Sequence, residues 1–408
     1  MKNTKIGILT FHKSINYGAF LQCYSLLKRI ENDCPNLDVE VIDYCPKYEI
    51  EKYMPTLRNF VFGSKFNSQS IKNIFKNIAK LFLMPGILQK KKCQYKAFQQ
   101  SYQYLRLSKK HWISNDYRKF WSEIKSDYDI IIVGSDAIWE CLVFDFPNAY
   151  FLPPELNIHK MSYAACSGRM FAELLNEDEK EVMRSSWNAF DYVGVRDVST
   201  EKFIHEILPE CKTYHNCDPT LFLDITTKPF SKKSVEEKLI KAGISMKKPI
   251  IGIMGGDKMG KMVRSFFGKT YQIVAVYCPN RYADAFLADL TPFEWAISFS
   301  FFKITFTRYF HGTIFSLKNG TPTISIDDWK VKDGQTSKLF DILNRLDLLN
   351  HYFKQEEMYS DSGLNHIKET AIGFLHQFDI KQLNSAFDSE VCSFQGFKEK
   401  LMELSKNA

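Results

Sequence analysis

The chain is punctuated by short apolar, β-branched runs, each followed by a loop and then by a stretch with amphipathic character. In the first half KIGILTF, VEVIDY, DIIIVG, KMSYAA, DYVGVR and the run before Asp218 predict strands; in the second half PIIGIMG, QIVAVY, KITFT and TPTISI do so. Repetition of this unit points to α/β layering with mostly parallel sheets. A polar, Lys-rich and Pro-containing stretch at 224–236, DITTKPFSKKSVE, reads as a linker. The expected architecture is two Rossmann-like α/β domains facing a cleft, one over 1–223 and one over 237–385. The segment 386–408 is helical in pattern and is expected to pack back on the first domain.

One region breaks the rhythm. Residues about 50–122 read as an insertion between the second and third predicted strands, and SIKNIFKNIAKLF within it predicts a helix. Ile71, Ile74, Phe75, Ile78 and Phe82 fall at helical spacing, while Lys72, Lys76 and Lys80 recur every four residues on another face. From Lys52 to Phe120 there are 15 Lys and Arg against one acid, Asp116. The whole chain carries +7, so the remainder is net negative. Such a helix either packs on its own domain with a solvated lysine face or rests on anionic lipid or a diphosphate-linked acceptor. No nucleic-acid motif accompanies the charge, and nucleic acid is not an expected partner.

Length and composition narrow the classes further. The 408 residues, 45% hydrophobic and 25% charged, suit a globular chain of two ordinary domains. The most apolar stretches are interrupted by Asp136, Glu294 and Lys303 before they reach bilayer length, so no transmembrane helix is expected. The first strand begins at Ile6 and leaves no room for a secretory leader; the expected location is cytoplasmic, at the inner face of the membrane if the insertion binds lipid. Ten scattered cysteines without zinc-ligand spacing read as reduced thiols, and no metal is expected.

Chemistry-bearing residues gather at the ends of predicted strands. In a parallel sheet the carboxyl ends of the strands form the binding edge. The loop HKSINYGAF places Asn16, Tyr17 and Gly18 there, either as a ligand-facing turn or as a helix cap. Ser135 and Asp136 end the run DIIIVGSD; the Asp either serves as a base or hydroxyl acceptor, or caps a following helix. Arg196 ends DYVGVRD, where its planar fork either grips a carboxylate or phosphate, or pairs with Asp197 or another acid. In RYFHGTIFSLKNG a titratable imidazole, His311, follows Arg308 at the end of a strand, and Gly312 and Thr313 open a helix whose N-terminus favours anions. Lys330 follows the strand TPTISI.

Taken in order, NYGAFLQCYSL, IIIVGSDAIW, SYAACSG, VGVRD, CDPTLFL, LTPFEW, FHGTIFSLKNG and ISIDDWKV resemble the polysaccharide pyruvyl transferase family. The resemblance implies a fold like that of GT-B glycosyltransferases. It also implies transfer of a carboxyethylidene group from phosphoenolpyruvate, a co-substrate rather than a cofactor, to two hydroxyls of a sugar. By the same resemblance His311 is the acid/base, and Arg196 and Lys330 hold the donor; from their own positions Asp136 is a second catalytic candidate, and Arg308, Gly312 and Thr313 are further donor contacts. Asn16, Tyr17, Gly18 and Ser135 would line the cleft or meet the acceptor, a glycan carried on a lipid diphosphate. Some members carry Arg where Tyr309 stands here. Two other readings are a nucleotide-sugar glycosyltransferase of the same fold, using Asp327 or Asp328 at the ribose, and a non-catalytic sugar-binding member of an assembly complex.

Overall fold

A computed structural model describes residues 4–63, 71–141, 146–328 and 336–406. The first sheet contains β1 (Lys5–Leu9), β2 (Asp38–Cys45), β3 (Leu107–Ile113), β4 (Ile130–Val133), β5 (His159–Ala165), β6 (Tyr192–Val195) and β7 (Thr213–His215). Its order is β3-β2-β1-β4-β5-β6-β7. The second sheet contains β8 (Ile250–Met254), β9 (Gln272–Val276), β10 (Ala285–Leu287), β11 (Ile304–Thr307), β12 (Thr323–Asp327) and β13 (Tyr352–Lys354), ordered β10-β9-β8-β11-β12-β13. Every pairing in both sheets is parallel. Each sheet is therefore doubly wound, and its strand order reverses once, between β1 and β4 in one and between β8 and β11 in the other.

The central strands are buried along their whole length because helices cover both faces: β4, β8 and β11 show no exposed position. Beneath β4 the first core is aromatic. Trp139 packs edge-on to Trp187 at 5.6 Å between ring centroids, and Trp187 in turn meets Phe203 at 5.9 Å. Strands β3, β10 and β13, which the apolar pattern does not predict, are all edge strands. β10 and β13 have three residues each, and β3, LSKKHWI, faces solvent through most of its length.

The chain divides into two compact units, one of Met1–Tyr53, Tyr102–Leu223 and Ser389–Ala408, the other of Met54–Ser101 and Asp224–Asp388. The basic insertion differs here from the expectation of a first-domain excursion over about 50–122. β3 and the helix Tyr117–Ile124 belong to the first unit, while 54–101 joins the second. The helix Ile87–Gln99 explains the attachment: Gln94 Nε2 donates to the carbonyl of Tyr277 at 3.1 Å, and Lys90 Nζ lies 5.9 Å from the ring centroid of Phe286. The helix Ile71–Leu83 forms as the spacing predicts, yet Phe75 and Phe82 are exposed rather than packed down.

The predicted linker ends early, at Ser231, whose side chain caps the helix Lys232–Lys241. The closing segment is two helices, Ile380–Val391 and Phe394–Ser405. In the first unit Phe397 packs edge-on to Tyr163 at 4.8 Å and to Tyr192 at 5.6 Å. Thr4 Oγ1 donates to the carbonyl of Ser405 at 2.9 Å.

Candidate active site

In the first unit the loops after β1 and β4 flank the point where strand order reverses. Asn16 stands in extended conformation before the helix Tyr17–Asp33 and accepts from the N–H groups of Gly18 (3.1 Å) and Ala19 (3.3 Å). Its side chain is a helix cap, and Tyr17 and Gly18 are buried beneath it. Past β4, Gly134 adopts φ +112°, and a Cβ there would lie 2.4 Å from the carbonyl oxygen of Tyr163, so only glycine fits. Ser135 is buried, and its hydroxyl has no hydrogen-bond partner among the described residues. Asp136 follows at φ +74° and accepts from the N–H of Ala137 at 2.9 Å. The stretch after it is a turn rather than a helix, so Asp136 caps nothing.

Arg196, at the end of β6, is buried, and its partner is not the neighbouring Asp197. Nη1 donates to Asp218 Oδ2 at 2.9 Å, and Nη2 stands 3.8 Å from Asp136 Oδ1. Asp197 instead accepts from the N–H and hydroxyl of Thr200, both at 2.8 Å, and from the thiol of Cys166 at 3.0 Å. Asp218 is the shared acceptor of the motif CDPT: Oδ1 takes the N–H and hydroxyl of Thr220, while Oδ2 takes Arg196 and also Gln22 Nε2 at 2.5 Å. Burial works against a charge on Arg196, but the negative field of its neighbours outweighs it and holds the pKa above the ordinary arginine value. The structure thus gathers Arg196, Asp136 and Asp218 at one edge.

A second buried ion group, which the sequence reading did not single out, lies at the other side of β1. Asp43 accepts from His12 Nε2 at 3.0 Å and Lys13 Nζ at 2.5 Å, and it also contacts His111. Burial alone would raise the Asp43 carboxyl; His12 and Lys13 reverse this and bring it well below the usual carboxylate range.

In the second unit the geometry is different. β11 ends at Thr307; the N–H of Arg308 donates to the Met254 carbonyl (3.2 Å) and that of Tyr309 to Thr307 Oγ1 (3.1 Å). The helix Phe310–Lys318 starts here, two residues earlier than the sequence reading places it. His311 therefore stands in the first helical turn rather than at the strand end, buried and edge-on to Phe310 at 5.1 Å. Tyr309 at the N-cap does not cap this helix through its side chain, because it offers no short acceptor. Gly312 lets the turn close on the sheet, since a Cβ would come within 2.4 Å of Thr307 Oγ1 and 2.8 Å of Met254 Sδ.

The remaining predicted donor contacts in this unit are differently employed. The Thr313 hydroxyl bonds Ser325 Oγ at 2.8 Å and its N–H donates to the Tyr309 carbonyl, so Thr313 braces the helix against β12. Arg308 is ion-paired with Asp328. Lys330 lies outside the described residues. Across the reversal point, β8 runs into Gly255 and Gly256, and the helix Asp257–Phe267 also begins without a side-chain cap. Asn280 Nδ2 holds the Gly255 and Gly256 carbonyls at 3.2 and 2.9 Å. This Gly-Gly turn between a strand and a helix was legible in PIIGIMGGDKMG and was not singled out. Arg196 belongs to the first unit and His311 to the second. Among the described residues no group of three or more His, Cys, Asp or Glu is arranged to hold a metal ion.

Two doubly wound parallel sheets of this kind define an α/β protein of GT-B type. UDP-N-acetylglucosamine 2-epimerase from Rickettsia bellii is similar at 9% identity, with a TM-score of 0.53 over 100% of this chain and 98% of that one. UDP-GlcNAc 2-epimerase from Neisseria meningitidis, bound to UDP-GlcNAc, aligns at 10% identity and a TM-score of 0.48 over 96% and 99% of the two chains. A glycosyltransferase from Rickettsia africae aligns at 10% identity and 0.48 over 100% of each. At such identities the likeness concerns fold alone, and only the first of these TM-scores exceeds one half. No curated protein matches the chain. The family model of polysaccharide pyruvyl transferase matches residues 16–329, well over half of the sequence. The chain belongs to the polysaccharide pyruvyl transferase family, whose name implies a pyruvyl donor and a polysaccharide acceptor.

Proposed function

We propose that the protein transfers the pyruvyl group of phosphoenolpyruvate, as a carboxyethylidene ketal, onto two hydroxyls of one sugar residue and releases phosphate. The observation that carries this reading is His311 in the first turn of a helix, at the reversal point of the second sheet and across from the helix after Gly255-Gly256. An imidazole gives and takes protons near neutral pH, and helix N-termini suit an anionic donor.

In this reaction His311 delivers a proton to the methylene carbon of the enol phosphate, and the carbon bearing the phosphate becomes oxocarbenium-like. The first sugar hydroxyl attacks that carbon and returns its proton to His311. The C–O bond to phosphate then breaks, the second hydroxyl takes its place, and its proton leaves with the phosphate. Atoms and charge balance without a redox step. Within the first unit Arg196 is a fixed positive charge, with Asp136 and Asp218 setting its orientation. The acceptor is a sugar of a surface or capsular polysaccharide precursor carried on a lipid diphosphate, presented at the cytoplasmic face of a membrane. No helix among the described residues is long and apolar enough to cross that membrane.

The test is phosphate release from phosphoenolpyruvate in the presence of glycosides, with the ketal methyl group followed by NMR. Release that depends on acceptor, and a new methyl singlet, are expected. Consumption of a UDP-sugar with no reaction of phosphoenolpyruvate would establish the glycosyltransferase alternative instead. That alternative draws little from the acids it would need: Asp327 accepts from Tyr352 at 3.1 Å and from Ser337, and Asp328 pairs with Arg308.

A further inference from the structure

We propose that the exposed apolar faces of the helices Leu57–Phe62 and Ile71–Leu83 form a docking surface for an anionic lipid bilayer. The helix Ile71–Leu83 packs on its neighbours along one flank of its apolar face: Ile74, Ile78 and Leu81 are partly buried, and Asn77 Nδ2 reaches the Val61 carbonyl at 3.5 Å. The adjoining flank carries Phe75, Phe82 and Leu83, which are 67%, 80% and 57% exposed. Phe75 and Phe82 are seven residues apart and share a face. The preceding helix, Leu57–Phe62, adds Leu57 and Phe62, each more than half exposed. A helical face whose largest apolar side chains point into solvent is an interaction surface.

Charge identifies the occupant. Segment 54–101 contains nine Lys and Arg and no acid. Lys76 is exposed on the lysine face of the same helix, and Arg58, Lys90, Lys92 and Lys96 are exposed on the adjoining helices. A second copy of the chain would set one acid-free surface against another and be repelled. A nucleic acid backbone would satisfy the lysines and leave the phenylalanines in water. An anionic bilayer meets both, with rings at the boundary of the acyl region and ammonium groups among the phosphates. At 13 residues the helix is far too short to span, so it lies in the interface plane. Docking of this surface on a bilayer does not depend on which reaction the protein performs.

Co-sedimentation of the full chain with vesicles tests it. The protein is expected to pellet with phosphatidylcholine–phosphatidylglycerol vesicles, and weakly or not at all with phosphatidylcholine alone. Phe75→Ser with Phe82→Ser should weaken binding to the anionic vesicles about tenfold or more, as should Lys76→Glu with Lys80→Glu. Unchanged melting temperatures would show that both variants fold. A wild-type chain that stays in the supernatant with anionic vesicles would overturn the proposal. So would a serine variant that binds as tightly as wild type, which would reduce the effect to charge adsorption. Concentration-dependent dimerisation abolished by the same serines, seen by sedimentation velocity without vesicles, would assign the face to a second copy and overturn it as well.

Discussion

The carboxyl ends of the two sheets carry charged and titratable side chains of similar kinds, but they are arranged in opposite ways. In the first unit they are bound to one another: Arg196 to Asp218 and Asp136, and Asp43 to His12, Lys13 and His111. In the second unit His311 stands in the first turn of a helix whose N-cap residue, Tyr309, makes no side-chain cap, and a Gly-Gly turn lies across the reversal point. Buried ion groups fix geometry, whereas the N-terminal turn of a helix favours an anion. The first edge therefore reads as a rigid frame with a positive charge set in it, and the second as the place where protons move.

The comparison breaks most sharply at His311. His311→Gln should lower turnover by roughly 10²–10⁴-fold and leave the melting temperature unchanged. A variant with near wild-type turnover would move the chemistry elsewhere. On the other edge, Asp218→Ala strips the main partner from a buried guanidinium and should cost about 3–5 kcal/mol, read by denaturant unfolding. If stability were unmoved while the apparent affinity for phosphoenolpyruvate fell, the first edge would be a binding site before it is a frame.

Acid should strain the second unit from the opposite end of its sheet. His351, just before β13, stacks on Phe374 at 4.1 Å, and its Nδ1–H donates to the Thr323 carbonyl at 2.8 Å. Burial lowers its pKa to about 4, against which the carbonyl bond acts only in part. The unfolded imidazole binds its proton near pH 6.5, so between that pH and 4 the unfolded state holds more protons than the folded one. Stability from this group is intact above about pH 6.5 and falls by about 3 kcal/mol as pH drops to 4. Unfolding free energies at neutral and acid pH should show the loss in wild type and a shallower slope in His351→Gln. The smallest effect is expected at Asn16→Ala, about 1 kcal/mol for a lost helix cap, with turnover little changed. A large loss of turnover there would make Asn16 a substrate contact as well as a cap.

Much of the fold was legible because the central strands are buried on both faces and read as uninterrupted apolar runs, as IIIV in β4 and IIGIM in β8 do. The strands that escaped notice are edges. β3 is polar because one side of it meets water, and β10 and β13 are too short to leave a pattern. His311 was legible from its neighbours in sequence. The partners of Arg196 were not, since Asp218 lies 22 residues away and Gln22 reaches Asp218 across 196. Local pattern carries a helix cap or a strand end, but pairing across a sheet edge depends on strand order, which no single stretch contains. The exposure of Phe75 was hidden for the same reason: helical spacing predicts an apolar face without saying what covers it.

The discontinuous division of the chain also sets an order of events during synthesis. The second unit has all its residues once position 388 has emerged from the ribosome, although it starts after the first. The first unit, begun earliest, is still missing Phe397, which covers Tyr163 and Tyr192, and Ser405, which receives Thr4. Until the helix Phe394–Ser405 is translated, Tyr163 and Tyr192 in the sheet of the first unit lack this aromatic cover.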